Sequence, residues 1–361
     1  MTERVAVLGS GIAGAAAALR LAQGGVAPVW ISGAPRQGFK PGEHLGAAAL
    51  SLLKALGSDT LLRAEVHREA HGTYSAWGSA LLGERNAIVQ LEGAPVVLDR
   101  CAFEAALSAQ AIAAGVQQIQ RDVVDVRVED QAWRLDLGDG AVTASFVFDA
   151  TGRKALVASK FSRRFQADRL TCQYAIFDAP NGITPRPVTL IEAEERGWWY
   201  LSVLADRRAV VNFYTDADLP GFENSALAQQ AARTKAISAF LSDYDYQTCG
   251  PTRRIAANST WIAPAIGAGW TAIGDAAAAF DPLSSHGMTT ALWTAIEATE
   301  AFLARDRKQM QAYAESVAQG VQDYLIDRTR VYAQEQRWRD SPFWARRGKR
   351  HHPDDIQAAA I

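Results

Sequence analysis

The chain has only three cysteines among 361 residues, Cys101, Cys172 and Cys249, odd in number and far apart. That excludes a disulfide framework and does not suit a closely spaced zinc site, so the three read as ordinary buried thiols. The six histidines, His44, His67, His71, His286, His351 and His352, hold no pair at helical metal-ligand spacing, and no metal is expected. Neither sign of charge dominates: 37 Lys and Arg stand against 39 Asp and Glu, a net charge of −2. The electrostatic case for nucleic acid or an anionic membrane surface is therefore missing. No apolar run reaches membrane-spanning length, no basic leader precedes the first apolar run at Val5, and there is no internal repeat. A cytoplasmic protein is expected, long enough for two packed domains.

What is present begins at the N-terminus. Val5-Ala6-Val7-Leu8 has the length and branching of a buried strand. Gly9-Ser10-Gly11-Ile12-Ala13-Gly14 interrupts it, and an alanine-rich segment of high helix propensity follows. In such an arrangement Gly9 makes the tight turn, Gly11 lets a pyrophosphate approach the backbone, and Gly14 lets the helix pack on the strand. The diphosphate sits at the positive, unsatisfied end of the helix. Residues 26–31 read as the second strand. Its end, where a dinucleotide fold normally holds a ribose through Asp or Glu, carries Ser32, with Arg36 as a further candidate for the adenosine.

Lys40-Pro41-Gly42-Glu43-His44-Leu45 reads as a turn into a short amphipathic helix over 47–56, closed by Gly57. The stretch from His71 to Ser79 mixes aromatics, small polar residues and glycines, a composition found in pocket linings and equally in a twisted strand with a half-buried Trp77. Asp99 is placed to cap a helix over 102–114. Arg100, whose charge opposes the dipole in the first turn, calls for an anionic partner such as a phosphate. Short alternating strands fill 116–148, and Phe146-Val147-Phe148-Asp149 stops at Ala150-Thr151-Gly152-Arg153 like a return to the first sheet. Antiparallel strands are expected at 171–177, 188–193, 198–204 and 209–215, then a helix over 225–244 and a strand at 260–262.

The chain re-enters the first domain at Trp270-Thr271-Ala272-Ile273-Gly274-Asp275. Asp281-Pro282-Leu283-Ser284-Ser285-His286-Gly287-Met288 and a helix over 289–305 follow. A Gly-Asp pair ending a strand offers a carboxylate to sugar or ribityl hydroxyls. A Pro-initiated turn running into a helix aims backbone N–H groups at an electron-rich ring edge. With the glycine motif, these features specify FAD. Residues 308–347 are helical and rich in Tyr, Trp and Arg, and a frayed tail is expected from Gly348.

Four stretches together resemble the flavin-dependent monooxygenase and halogenase superfamily: the glycine motif at Gly9, KPGEHLGAAALSLLKALG from Lys40, HGTYSAWGS from His71 with the Leu98-Asp99-Arg100 helix start, and GDAAAAFDPLSSHG from Gly274. GWWYLSVL from Gly197 and the Arg-Trp and Phe-Trp pairs ending at Trp344 narrow the resemblance. They are similar to tryptophan-halogenase-like flavoproteins of the LodB and GoxB type, which are required for making tryptophylquinone cofactors in amine and amino-acid oxidases. The resemblance runs from Val5 to Arg347. It implies an α/β fold with a Rossmann-like FAD-binding domain of the aromatic hydroxylase and halogenase type, an interleaved antiparallel substrate domain and C-terminal helices. The expected division is 1–165, with a helical and β excursion at 58–95, for the first part of the FAD-binding domain. Residues 166–261 form the substrate domain, 262–306 the return, and 307–361 the C-terminal helices and tail.

Carried over residue by residue, the resemblance implies that Gly9, Gly11, Ile12, Ala13 and Gly14 meet the FAD diphosphate, with Arg100 near it. Ser32 and Arg36 would serve the adenosine side, and Gly274 and Asp275 the ribityl or ribose hydroxyls. Pro282, Ser285, Gly287 and Met288 would border the isoalloxazine. The family's DPLSSQG reads DPLSSHG here, which puts His286, a side chain that changes charge near neutral pH, beside the flavin position. Two halogenase marks are absent: no lysine lies between Lys54 and Lys154, and the WxWxIP strand reads Gly197-Trp198-Trp199-Tyr200-Leu201-Ser202. The Asp-Gly motif of single-component hydroxylases is replaced by Asp149-Ala150-Thr151-Gly152, which leaves room for a separate reductant.

The expected activity is FAD-dependent oxygenation of an electron-rich aromatic ring, foremost a tryptophan in the protein precursor of a tryptophylquinone-type oxidase. Glu43, His44, His71 and His286 are the candidates for proton transfer, and Trp77, Trp198 and Trp199 for stacking on substrate. The alternatives are a halogenase or hydroxylase of a small aromatic molecule, and a non-oxygenating flavoprotein assembly factor.

Overall fold

Val5–Leu8 is a strand buried along its whole length, as an unbroken aliphatic run requires when both faces of a sheet are covered. The computed structural model describes residues 4–34, 39–63, 65–86, 95–219 and 227–348. Val5–Leu8 lies inside a six-stranded sheet ordered Ile266–Gly267, Trp270–Ala272, Phe146–Asp149, Val5–Leu8, Val29–Ile31, Gln117–Ile119. Its strands run parallel apart from the short Ile266–Gly267 edge. Val7 stands between Phe148 and Trp30. Helix Ile12–Gln23 buries its alanines, and those small side chains let Arg100–Ala113 and Gly287–Leu303 pack closely against it. Asp99 caps Arg100–Ala113 by accepting from the Ala102 N–H at 2.9 Å.

A second sheet has seven strands, ordered Gln247–Ala256, Leu170–Asp178, Ala209–Asp216, Gly197–Val203, Val188–Glu194, Gly72–Ala76, Gly83–Asn86. The excursion expected to belong to the first domain thus supplies two strands to this sheet, and Gly72–Ala76 joins Val188–Glu194 in parallel. Strand alternation gives the sheet two faces. Trp199, Leu201, Val211 and Phe213 point to one, into a core shared with Ile237 and Leu241 of helix Ala236–Asp243. Cys172, Trp198 and Tyr214 point to the other, toward Tyr332, Phe343 and Trp344 of the C-terminal helices Arg307–Ala333 and Pro342–Arg347.

Three expectations change. The single helix over 225–244 is two, Leu227–Ala231 and Ala236–Asp243, its first residues to 226 lying outside the described residues. The second begins afresh because the Glu192 carboxylate, from the neighbouring strand, accepts the N–H groups of Lys235, Ala236 and Ile237 at 2.7, 2.9 and 3.2 Å. The ten-residue strand Gln247–Ala256 had no signal: it is polar, carries Gly250 and Pro251, and is exposed almost throughout. Of the three thiols Cys172 is buried, whereas Cys101 and Cys249 are exposed. Among the described residues no helix is long and apolar enough to cross a membrane.

Candidate functional site: a cavity between the two sheets

The three motif glycines do different things. Gly9 has φ +121°, and a Cβ there would lie 2.0 Å from the Ala150 carbonyl oxygen; one on Gly14 would lie 2.2 Å from the Gly9 carbonyl oxygen. Both therefore keep helix and strands in contact. A Cβ on Gly11 would meet nothing within 4 Å. Gly11 caps Ile12–Gln23 without any side-chain bond, so the first-turn N–H groups of that helix face open space.

That space is a cavity of about 710 Å³ lined by Gly11, Ile12, Ala13, Glu43, His44, Arg100, Asp275, the 281–288 turn and one face of the second sheet. Helix Gly287–Leu303 opens on it too: a Cβ on Gly287 would meet nothing within 4 Å, and Ser285, at φ +54°, turns the chain into the helix. The turn is held from behind by buried Asp281, which accepts from the Leu283 N–H at 3.0 Å and the Tyr332 hydroxyl at 2.7 Å. Arg328 lies between Asp281, at 3.5 Å, and Asp168, at 3.1 Å. Burial pushes the Asp281 carboxyl up, and Arg328 opposes it. Gly274, at φ +60°, would place a Cβ 2.8 Å from that of Ala13; it brings Asp275 to the cavity, 3.8 Å from the Arg153 Nε. Arg100 donates to the Pro41 carbonyl at 2.8 Å and to Glu104 at 2.6 Å, while its buried Nε has no partner.

These features fit an elongated dinucleotide. A bare helix N-terminus suits a diphosphate, the orphaned Arg100 Nε would offer it a further donor, Asp275 could accept from hydroxyls, and the second helix N-terminus would suit an electron-rich ring. Ser32 is placed elsewhere. It is 5% exposed, accepts from Gln118 Nε2 at 3.1 Å, and does not line this cavity. Arg36 lies outside the described residues.

The opposite wall holds residues that the sequence reading missed. Cys172 pairs across the strands with Tyr214, and Tyr174 and Tyr200 with Asn212; all five face the cavity. The Asn212 Oδ1 is buried without a partner. Glu43, 1% exposed, accepts from the Tyr200 hydroxyl at 2.9 Å and from the Gly42 N–H at 3.1 Å. Burial and the Glu43 charge hold the Tyr200 phenol well above its usual range. His44 Nε2 lies 3.0 Å from both Ser202 Oγ and Thr189 Oγ1.

Of the four expected proton-transfer residues, Glu43, His44 and His286 reach the cavity, His286 at its exposed rim. His71 does not: it is exposed just before strand Gly72–Ala76 of the second sheet, where its N–H donates to the Pro187 carbonyl at 2.8 Å. None of the three tryptophans lines the cavity. Trp198 is stacked on Tyr214 at 3.9 Å and donates to Tyr332; Trp77 meets Trp198 and Trp344 edge-on and donates to the Val331 carbonyl. Both anchor the C-terminal helices. Trp199 points to the other face and donates to Glu194 at 2.9 Å.

Burial pushes the His44 imidazole below its ordinary value, Glu43 opposing. Below about pH 6.5 the unfolded chain then takes up a proton that the folded chain refuses, so stability falls as pH falls. His44→Gln is expected to flatten this dependence. Urea midpoints of wild type and variant between about pH 7 and 5.5 check it; parallel curves would show the imidazole to be freely protonated in the fold.

The tryptophan halogenase family model matches residues 90–360. LodB of Marinomonas mediterranea, named as an FAD-dependent oxidoreductase, is 28% identical over 289 residues, covering 77% of this chain and 78% of LodB. Among solved structures, the peptidyl tryptophan dihydroxylase QhpG, essential for tryptophylquinone cofactor biogenesis, is 26% identical with a TM-score of 0.78. That match covers 96% of this chain and 79% of QhpG. The myxobacterial chondrochloren halogenase CndH, 20% identical, shares the fold with a TM-score of 0.83 over 96% of this chain and 85% of its own.

Proposed function

Because the chain belongs to the tryptophan halogenase family, we propose that it is an FAD-dependent oxygenase acting on a protein-bound tryptophan during maturation of a quinone-cofactor oxidase. It is an FAD-dependent oxidoreductase. The observation that carries the oxygenase reading is the buried Glu43 and Tyr200 pair in the cavity wall, in a chain with no lysine between Lys54 and Lys154. Lys40, the lysine on this wall, is bound to Glu104.

Bound FAD supplies the redox and oxygen chemistry. Gly11, Ile12, Ala13 and Arg100 would hold the diphosphate, Asp275 the hydroxyls, and the 282–288 turn the ring edge. Oxygen insertion at an aromatic carbon leaves a proton to be removed. Glu43 is placed to take it, with Tyr200 orienting the carboxylate. Tyr174, Tyr214 and Phe39 close the wall against water. The return at Asp149-Ala150 has no Asp-Gly pair; buried Asp149 is instead consumed in holding the Val157 and Ala158 N–H groups at 2.7 and 2.9 Å. A separate reductant fits this reading. So does a cytoplasmic setting, where Cys101, Cys172 and Cys249 stay reduced.

Anaerobic reduction, followed by stopped-flow mixing with O2 in the presence of a quinone-oxidase precursor, tests the proposal. The expected result is rapid reoxidation and a mass gain of one or two oxygen atoms on a precursor tryptophan. Halide-dependent product from a small aromatic would point to the halogenase alternative. No reoxidation and no mass change would leave an assembly factor.

His286 provides a separate check. It stands at the start of Gly287–Leu303 with no capping bond from its side chain. A cation there stabilises an anionic reduced ring. His286→Gln is expected to lower the flavin midpoint potential while FAD content stays full. Coincident potential curves would place the imidazole in solvent.

A further inference from the structure

Strand Gln247–Ala256 ends the seven-stranded sheet, bonded on one side to Leu170–Asp178 and, among the described residues, to no strand on the other. Such a row of free N–H and C=O groups is normally blunted. Here the blunting is partial. Pro251 lies within a bulge that shifts the register between Tyr174 and Ile176, which spoils the edge on the far side and leaves the run from Arg253 to Ala256 regular. The Ala257 N–H donates to Leu170 at 3.0 Å, so by alternation the N–H and C=O groups of Arg254 and Ala256 point outward.

The free run sits at the mouth of the cavity. Ile255, 38% exposed, and Ala256 line both the cavity and a neighbouring hollow of about 620 Å³ bordered by Gln166, Arg254 and Asn258. Arg253 shares the cavity face with Ile255, being paired with Tyr174 as Ile255 is with Cys172; Arg254 faces the hollow. Neither arginine has an ion-pair partner among the described residues, whereas Arg169, across the hollow, is bound to Asp218 at 3.1 Å.

We infer that this edge docks the substrate polypeptide: an extended acidic segment adds as a strand beside Arg253 to Ala256 and delivers its tryptophan side chain past Ile255 into the cavity. Main-chain bonds would give affinity and the two arginines would select acidic flanks. The inference rests on the protein-bound tryptophan reading above, but binding can be measured apart from turnover.

The test uses the FAD-loaded enzyme and short fluorescent tryptophan peptides flanked by aspartates, with a lysine-flanked twin and a twin N-methylated at alternate backbone amides. The acidic peptide is expected to bind at least about tenfold more tightly than either twin, and Arg253→Glu with Arg254→Glu should erase the preference. Equal binding of acidic and basic peptides, or indifference to N-methylation, would overturn the inference. So would a concentration-dependent dimer dissolved by the double variant, which would assign the edge to a second copy. Edge-dependent binding without any mass change of the tryptophan, under reductant and O2, supports the docking and sinks the oxygenase reading. Tryptophan oxidation untouched by the double variant does the reverse.

Discussion

Gly11→Val is expected to give a folded, colourless protein. Gly11 has φ −82° and ψ −177°, an extended conformation open to any L residue, and its Cβ would meet nothing within 4 Å. Nothing in the polypeptide resists the change. The branched side chain instead fills the floor of the cavity over the first turn of Ile12–Gln23, where the diphosphate must reach the N–H groups. Losing two or more charge-assisted bonds costs about 3 kcal/mol or more, over a hundredfold in FAD affinity. Gly9→Val and Gly14→Val make the contrast, since each drives a Cβ to within 2.2 Å of a backbone oxygen and should abolish the fold. FAD absorbance per chain after gel filtration, with circular dichroism as the control for folding, decides it. A folded Gly11→Val protein with a full complement of FAD would refute the placement of the diphosphate.

Glu43→Gln should leave FAD content and KM nearly unchanged and lower kcat about 100- to 10,000-fold, the range for loss of a positioned general base. The amide keeps the shape and can still accept from Tyr200, giving up the Gly42 N–H bond that the second carboxylate oxygen accepts; what is lost besides is the charge that receives a proton. Glu43→Asp, which retains the charge but draws it back from Tyr200 by one methylene, should recover part of the rate. Tyr200→Phe serves to separate the roles: it removes the 2.9 Å bond that orients the carboxylate without removing the base, and is expected to fall between the two. A Glu43→Gln enzyme turning over within threefold of wild type would move the proton acceptor elsewhere, His44 being next in line.

The first sheet and the cofactor side of the cavity were legible because their signals are local. Gly9 to Gly14, Gly274-Asp275 and Asp281 to Gly287 are each a strand, a turn and a helix start within a dozen residues, and the turn chemistry needs no partner to be recognised. The substrate side was not, because it depends on strand pairing. In Trp198-Trp199-Tyr200 three aromatics in a row hide the period of two, and nothing in that run says which face meets the cavity. The neighbouring strand decides: Tyr200 lies beside Asn212, in a row that leads to the cavity, whereas Trp199 lies beside Phe213 in the rear core. Trp198 shares the cavity face but disappears beneath Tyr332, which arrives from more than a hundred residues along the chain. His71 failed for a related reason, since its stretch joins the second sheet through Val188–Glu194 instead of staying near the glycine motif.

The order of the parallel sheet carries a kinetic consequence. Val7 at the very start of the chain lies beside Phe148, and Phe148 lies beside Thr271, so the sheet cannot close until most of the polypeptide has been synthesised. Pairings between such distant segments form slowly, because the loops between them must be ordered before any contact rewards it. While the ribosome is still at work, Val5–Leu8 and its glycine turn wait as an exposed apolar edge, the kind of surface that chaperones shield. The cavity floor at Gly11 and the turn at 281–288 that closes over it come from opposite ends of this process. A cofactor that binds only the closed cavity would be expected to enter after the return strand Trp270–Ala272 has docked and to draw the last step of folding to completion.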